Sequence, residues 1–372
     1  MRTIRLAFAA LLAPLLAILL ASGPAFAGKD LDAVKARGQL ICGVAANGLA
    51  GFMVVSSQGK WTGLDVDVCR AVAAAIFGNS EKVKYVPVSG QQRFTALQSG
   101  EVDMLSNNTT WTMQRDTALG LDFGAVTYYD GQGFMVPKKL GVKSAKEING
   151  ASVCVPSGST TELNLADFAR ANKITVKSVV IEDMDQIRQA FFAGRCDVYT
   201  GDSSRLYSSR AANVPPPATA DDYIVLPEII SKEPLSPAFR HGDNQFGDIV
   251  RWSQWAMIEA EEYGVNSQNV DEMLKSDNPG IKRLLGVTPG MGKALGVDET
   301  WVVNIVKQVG NYGESFDRNL GMKSPLKIDR GLNKLWKDGG LMYAPQAQDI
   351  AQRLIAQPVT SGAANSVITS SG

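Results

Sequence analysis

The chain has 372 residues, 45% of them hydrophobic and 20% charged, with 37 basic side chains against 37 acidic ones. This is a globular balance in a chain longer than one ordinary domain, so two domains are expected. It excludes the basic surplus of a nucleic-acid binder and the polar, highly charged composition of a disordered chain, and no nucleic-acid partner is expected.

At the start of the chain, Arg2 and Arg5 precede an apolar run over residues 6–20, and Ala25-Phe26-Ala27 follows. This is the three-part layout of a secretory signal peptide, with cleavage expected after Ala27. The apolar run is short for an anchor spanning about 30 Å of hydrocarbon. The mature chain is therefore expected to be exported and soluble.

Residues 39–45 form a short apolar run that reads as a first strand, and 64–77 carries apolar residues at helical spacing. A strand over 83–88, a short helix over 93–99 and a strand over 102–105 complete one α/β unit. Such alternation signals a largely parallel sheet flanked by helices. The pattern restarts with an extended run over 132–136, strands over 152–155, 178–181 and 196–199, and helices over 160–172 and 184–193. After Pro234 the chain reads as mostly helical, with helices expected over 246–263, 268–276, 298–310 and 329–337. The tail over 346–372 is rich in Ala, Ser, Gln and Thr and reads as flexible apart from a short helix near 347–355.

The four cysteines suit disulfides in an oxidising compartment, although four cysteines allow three pairings. Pairing Cys42 with Cys69 and Cys154 with Cys196 staples each unit separately and leaves relative motion of the units free; four free thiols are the alternative. No CxxC occurs and His241 is the only histidine, so no metal site is expected.

Catalytic signatures are missing. There is no G-x-S-x-G elbow, the glycines near 290–293 lack the spacing and the Ser/Thr of a phosphate loop, and no dinucleotide fingerprint is present. Asp65 and Asp67 at a helix start read as dipole partners rather than an acid–base pair. Neither a catalytic residue nor a cofactor is expected.

Three polar loops at strand ends stand out, because ligands bind at the carboxyl ends of strands in open α/β sheets. The loop over 106–116 offers Asn107, Asn108, Thr110 and Arg115, and Arg115 suits a two-pronged carboxylate pair; its alternative is a surface arginine at a helix start. The loop over 156–162 leads into a helix whose unpaired N–H groups suit an anion, with Ser159 as an ordinary N-cap in the alternative. Asp202, just past the strand over 196–199, suits an ammonium group; its alternative is again a helix cap. A cation, helix-end donors and an anion on two units together match a zwitterion.

Trp61-Thr-Gly-Leu-Asp-Val-Asp-Val68, Arg93-Phe-Thr-Ala-Leu-Gln-Ser-Gly-Glu-Val-Asp103, Tyr128-Tyr-Asp-Gly-Gln-Gly-Phe-Met-Val136, Gly158-Ser-Thr-Thr-Glu162 and Gly194-Arg-Cys-Asp-Val-Tyr-Thr-Gly-Asp202 resemble the polar amino-acid family of solute-binding proteins. Asn311-Tyr-Gly-Glu-Ser-Phe316, Arg330-Gly-Leu-Asn333 and Leu335-Trp-Lys-Asp-Gly-Gly-Leu-Met-Tyr-Ala-Pro345 are similar to its general L-amino-acid-binding branch. The resemblance implies a type II periplasmic binding protein fold, two α/β lobes joined by crossing strands. It implies a first lobe over 28–136 and 234–345, the second part a helical extension, and a second lobe over 137–233. It also implies a periplasmic monomer that binds free L-amino acids and delivers them to the permease subunits of an ABC importer. A sensory module or a dehydratase on the same fold are the alternatives. By the same resemblance Arg115 holds the ligand's α-carboxylate, Thr160 donates to it from the second lobe, and Asp202 pairs with the α-ammonium. Asn107, Asn108 and Thr110 line the site. Leu49 stands where relatives carry a stacking aromatic, which loosens side-chain selection, and Asn107 stands where this branch often has a basic residue.

Overall fold

The computed structural model describes residues 28–347; the signal-peptide reading over 1–27 and the tail from 348 onward lie outside the described residues. Among the described residues no helix is long and apolar enough to cross a membrane.

The fold has two lobes built on the same plan. The first lobe's sheet has the order Val83–Val88, Leu40–Ala45, Met104–Leu105, Ala238–Arg240, Leu121–Phe123. Its first three strands are parallel and Ala238–Arg240 is antiparallel to both neighbours. The second lobe's sheet has the order Lys177–Ile181, Ser152–Pro156, Val198–Asp202, Gln132–Pro137, Tyr223–Val225, with Gln132–Pro137 as the antiparallel member. Sheets covered on both faces favour near-continuous apolar strands, as in Leu40–Ala45 and Ser152–Pro156.

Helix Leu64–Phe77 is buried along most of its length, because it packs on the first sheet and is covered by helices Asn244–Glu262 and Trp301–Gln308. It has the limits expected from the spacing, and Gly78, with φ 65°, closes it in the left-handed conformation. Several segments depart from the sequence reading; the helix expected over 268–276, for example, is confined to Val270–Met273. Residues 329–337 form only the 3₁₀ turns Gly331–Asn333 and Trp336–Asp338. The Asn333 side chain is committed elsewhere: its Oδ1 accepts from Tyr129 N at 2.6 Å and its Nδ2 donates to Tyr129 O at 3.2 Å. The helix Ser203–Ala212 entered the sequence reading only through the helix-cap alternative at Asp202, since its polar composition hides it; it buries Ser204, Ser208 and Ser209 beside Leu206.

The lobes are joined by two short antiparallel strands, Tyr128–Asp130 and Glu233–Leu235, in which Asp130 faces Glu233. The strand Gln132–Pro137 lies beyond this crossing and belongs to the second lobe's sheet, ahead of the boundary at 136–137 read from the sequence. An extended apolar run carries no signal of which sheet it joins. Cys42 is bonded to Cys69 and Cys154 to Cys196, so each bridge lies within one lobe and neither restrains their relative motion. The loops they close make each bridge worth roughly 3–4 kcal/mol in the chain-entropy picture.

Candidate functional site

Between the lobes lies a cleft of about 480 Å³. Leu49, Asn107, Asn108, Thr110, Ser159, Thr160 and Asp202 all line it. Arg115 does not line the cleft directly. It sits behind Thr110, with Nη1 donating to Thr110 O at 2.7 Å and Thr112 Oγ1 accepting from its backbone N–H at 3.3 Å. It is buried, which removes the surface-arginine alternative.

Asn108 shapes the first-lobe loop. Its φ of 47° is left-handed, a conformation asparagine tolerates better than most residues. Its N–H donates to Asp65 Oδ2 at 2.8 Å, and its Oδ1 accepts from Arg205 Nη2 at 2.8 Å across the cleft. Asp65 is thus a buried brace for the loop, not the simple dipole partner read from the sequence; burial pushes its carboxyl up to about 6. Asp67 binds Ser315 Oγ at 2.6 Å, and also Arg318 and Asn319, tying helix Leu64–Phe77 to helix Tyr312–Asn319.

On the second lobe, Gly158 takes a φ of 64° and turns the chain into helix Thr160–Asn172. Ser159 caps that helix, accepting from Glu162 N at 3.3 Å. The first helical N–H groups, those of Thr160 and Thr161, have no intrahelical acceptor and both residues line the cleft. Asp202 stands at the N-cap of Ser203–Ala212, yet its side chain makes no capping hydrogen bond. Its carboxylate faces the cleft instead, 3.7 Å from Arg205 Nη2.

Arg93 was missed by the sequence reading. It is 7% exposed and lines the cleft, and its Nε has no acceptor among the described residues. The Nδ2 groups of Asn107 and Asn108 are equally buried and unpaired. Buried donors without partners are rare, because each costs the desolvation of a polar group. Arg93 and Arg115 lie with Cζ 4.8 and 5.0 Å from the Phe94 ring centroid. Burial, then Arg115 and Arg205, push the Arg93 guanidinium down to about 9, so it stays cationic at neutral pH. The floor of the cleft therefore carries unpaired donors on Arg93, Asn107 and Asn108 among the described residues. A Q-Q-R-F sequence at a helix start gives no hint of this, because only folding brings it beside the 106–110 loop.

The lobes also touch directly. Asn47 Nδ2 donates to Asp183 Oδ2 at 2.6 Å, Ser89 Oγ to Glu182 Oε1 at 2.9 Å and Gln91 Nε2 to Ser157 Oγ at 2.7 Å. At the crossing strands, Glu233 Oε2 accepts from Thr110 Oγ1 at 2.6 Å and Thr160 Oγ1 at 3.0 Å, one from each lobe. This is a closed arrangement. Because Thr160 spends its hydroxyl on Glu233, its backbone N–H is what remains for a ligand.

Asp130, on the crossing strand, accepts from the hydroxyl and N–H of Ser204 and from Gly131 N. Burial first, and then the neighbouring Asp202, push its carboxyl up to about 7; burial likewise raises Asp202, against the pull of Arg205. A carboxyl whose folded value lies above its ordinary 3.8 stabilises the fold fully below that value and loses the contribution as pH rises through about 7. The melting temperature of the unliganded protein, followed from pH 5 to 8, should therefore decline less steeply in Asp130→Asn than in the parent. Equal slopes would remove Asp130 as the titrating group.

His241 lies outside the cleft, with Nε2 3.8 Å from both Asp116 and Asp122. Their wide separation in sequence hid this half-exposed cluster.

A cleft between two α/β lobes joined by a pair of crossing strands defines a two-lobed solute-binding protein. The chain belongs to the bacterial extracellular solute-binding proteins, family 3, which it matches over residues 40–278. It is 55% identical over 331 residues to the general L-amino acid-binding periplasmic protein AapJ of Rhizobium johnstonii, covering 88% of this chain and 96% of that one. It is 55% identical over 322 residues to the glutamate/glutamine/aspartate/asparagine-binding protein BztA of Rhodobacter capsulatus, covering 86% and 94%. Among solved structures, an ABC transporter periplasmic binding protein from Brucella ovis with glutathione bound superposes with a TM-score of 0.82 at 54% identity, covering 86% of this chain and 99% of that one. Membership of this family makes the chain a binding protein rather than an enzyme.

Proposed function

We propose that this chain captures free L-amino acids in the interlobe cleft and presents them, closed, to the permease subunits of an ABC importer. The observation that carries the reading is the cleft itself: unpaired buried donors on Arg93, Asn107 and Asn108 beside the uncapped carboxylate of Asp202. The Thr160 and Thr161 N–H groups, backed by Arg115 from behind Thr110, hold the α-carboxylate, and Asp202 holds the α-ammonium. Closure removes water from both charge pairs and strengthens them. Tighter binding to the closed form is what shifts the population toward it. The leader over 1–27 supports export to the periplasm, where relatives such as AapJ are named as residing. Each chain builds a complete cleft, which supports action as a monomer.

Calorimetric titration of the mature protein tests the reading. An L-amino acid should bind, while its amide, lacking the carboxylate, and its N-acetyl derivative, lacking the ammonium, should bind at least tenfold more weakly. Equal binding of either derivative would overturn the assignment. Glutathione belongs in the same series, because the cleft is roomy at about 480 Å³ and the Brucella ovis relative holds that peptide.

Leu49 lines the cleft as an aliphatic wall rather than a stacking ring. Leu49→Trp should reorder affinities among amino acids, favouring small side chains, whereas the charge contacts stay common to all. An unchanged order would place Leu49 outside side-chain selection.

A further inference from the structure

The register of the second lobe's sheet brings a crossing strand to the helix that follows Asp202. Asp202 pairs with Gln132 in the antiparallel ladder. One residue beyond that pair, the Ser203 N–H donates to Gly131 O at 2.8 Å. One residue further, Ser204 meets Asp130, the last residue of strand Tyr128–Asp130. The Ser204 N–H lies 3.4 and 3.3 Å from the two Asp130 carboxylate oxygens, and the Ser204 hydroxyl donates to Oδ2. The Gly131 N–H donates to Oδ1 at 2.8 Å and fixes the carboxylate from the strand side.

A helix start leaves its first N–H groups without intrahelical acceptors, and the N-cap side chain ordinarily serves the second or third of them. In Ser203–Ala212 the N-cap residue is Asp202 and the second N–H is that of Ser204, yet Asp202 makes no capping bond. The acceptor is Asp130, from 74 residues earlier in the chain. Ser204 is 2% exposed, so losing that acceptor would leave a buried N–H and hydroxyl to find another. We propose that Asp130 is a positioning residue for the amino-acid site: it caps helix Ser203–Ala212 in place of Asp202 and thereby keeps the Asp202 carboxylate turned to the cleft. The inference rests on the reading of Asp202 as the ammonium's partner. Arg205, the third residue of the same helix, is held with it, and its Nη2 reaches Asn108 Oδ1 at 2.8 Å. Without Asp130 the nearest acceptor for the Ser204 N–H is Asp202 itself, already at the capping position. A ligand ammonium would then have to draw Asp202 out of a cap before pairing with it.

Calorimetric titration of the mature protein with L-glutamine and L-glutamate tests it. Asp130→Ala should weaken both by about tenfold, the cost of breaking an N-cap. Asp130→Asn, whose amide oxygen still accepts from Ser204, should recover most of that affinity. In an Asp202→Ala background, Asp130→Ala should add less than about twofold, because its route to the ligand has gone. Ser204→Ala removes only the hydroxyl's bond to Asp130 and carries the same test should Asp130→Ala not fold: about threefold weaker binding with Asp202 present, and no loss in its absence. Equal losses with and without Asp202, or no loss with Asp202 in place, would overturn the proposal. A parent that binds neither probe, or an Asp202→Ala variant that binds as the parent does, would instead remove the amino-acid reading itself and this inference with it.

Discussion

Asp202→Asn should weaken the binding of every α-amino acid by a similar factor. The side chain keeps its shape, but the ammonium then meets a neutral amide in a dehydrated cleft. Removing one partner of a buried charge pair costs roughly 2–5 kcal/mol. At about 1.4 kcal/mol per decade, that is about thirtyfold to several-thousandfold in Kd. The structure strengthens the expectation, because Asp202 lies at a helix start without capping it and its one ion-pair partner among the described residues, Arg205, is 3.7 Å away. Its carboxylate is therefore free to take up a ligand cation. Arg115→Ala should act on all ligands alike too, through the shared carboxylate. Calorimetry against a neutral, an acidic and a basic amino acid checks both variants. A loss confined to one ligand class would show that these groups read the side chain instead.

Arg93→Ala should divide the ligands. Arg93 brings a guanidinium to the cleft lining itself, whereas Arg115 sits behind Thr110, and the Arg93 Nε is unpaired among the described residues. A ligand with a second carboxylate is what engages both. Glutamate and aspartate should therefore lose roughly 2–5 kcal/mol of affinity, while glutamine and asparagine should lose less than about tenfold. Asn107 stands where the resemblance implies that this branch often has a basic residue, so the first-lobe loop itself brings no cation at that position. Arg93 supplies that cation from another element. Titrating the four amino acids against the variant decides the point; an equal loss for all four would assign the shared carboxylate to Arg93 instead of Arg115.

Local signals determined much of this protein. The period of apolar residues set helices 64–77 and 160–172, and short apolar runs followed by polar loops marked the strand ends where ligands bind. Since those loops follow strands of the two sheets, seven of the eight residues read as ligand contacts meet in one cleft. Other features needed the fold. Whether Asp202 caps its helix or faces the cleft turns on side-chain direction, which spacing does not encode. Arg93 and Arg205 join the site because the helix starting at Arg93 and the polar helix Ser203–Ala212 both aim at it, one from each lobe. Glu233 lies between the lobes because the second crossing strand pairs with the first more than a hundred residues earlier in the chain. Hydrophobic period and turn chemistry act over a few residues, so a sequence carries them openly. The partner of a buried charge is set by which distant strands and helices pack together, and only the tertiary structure decides that.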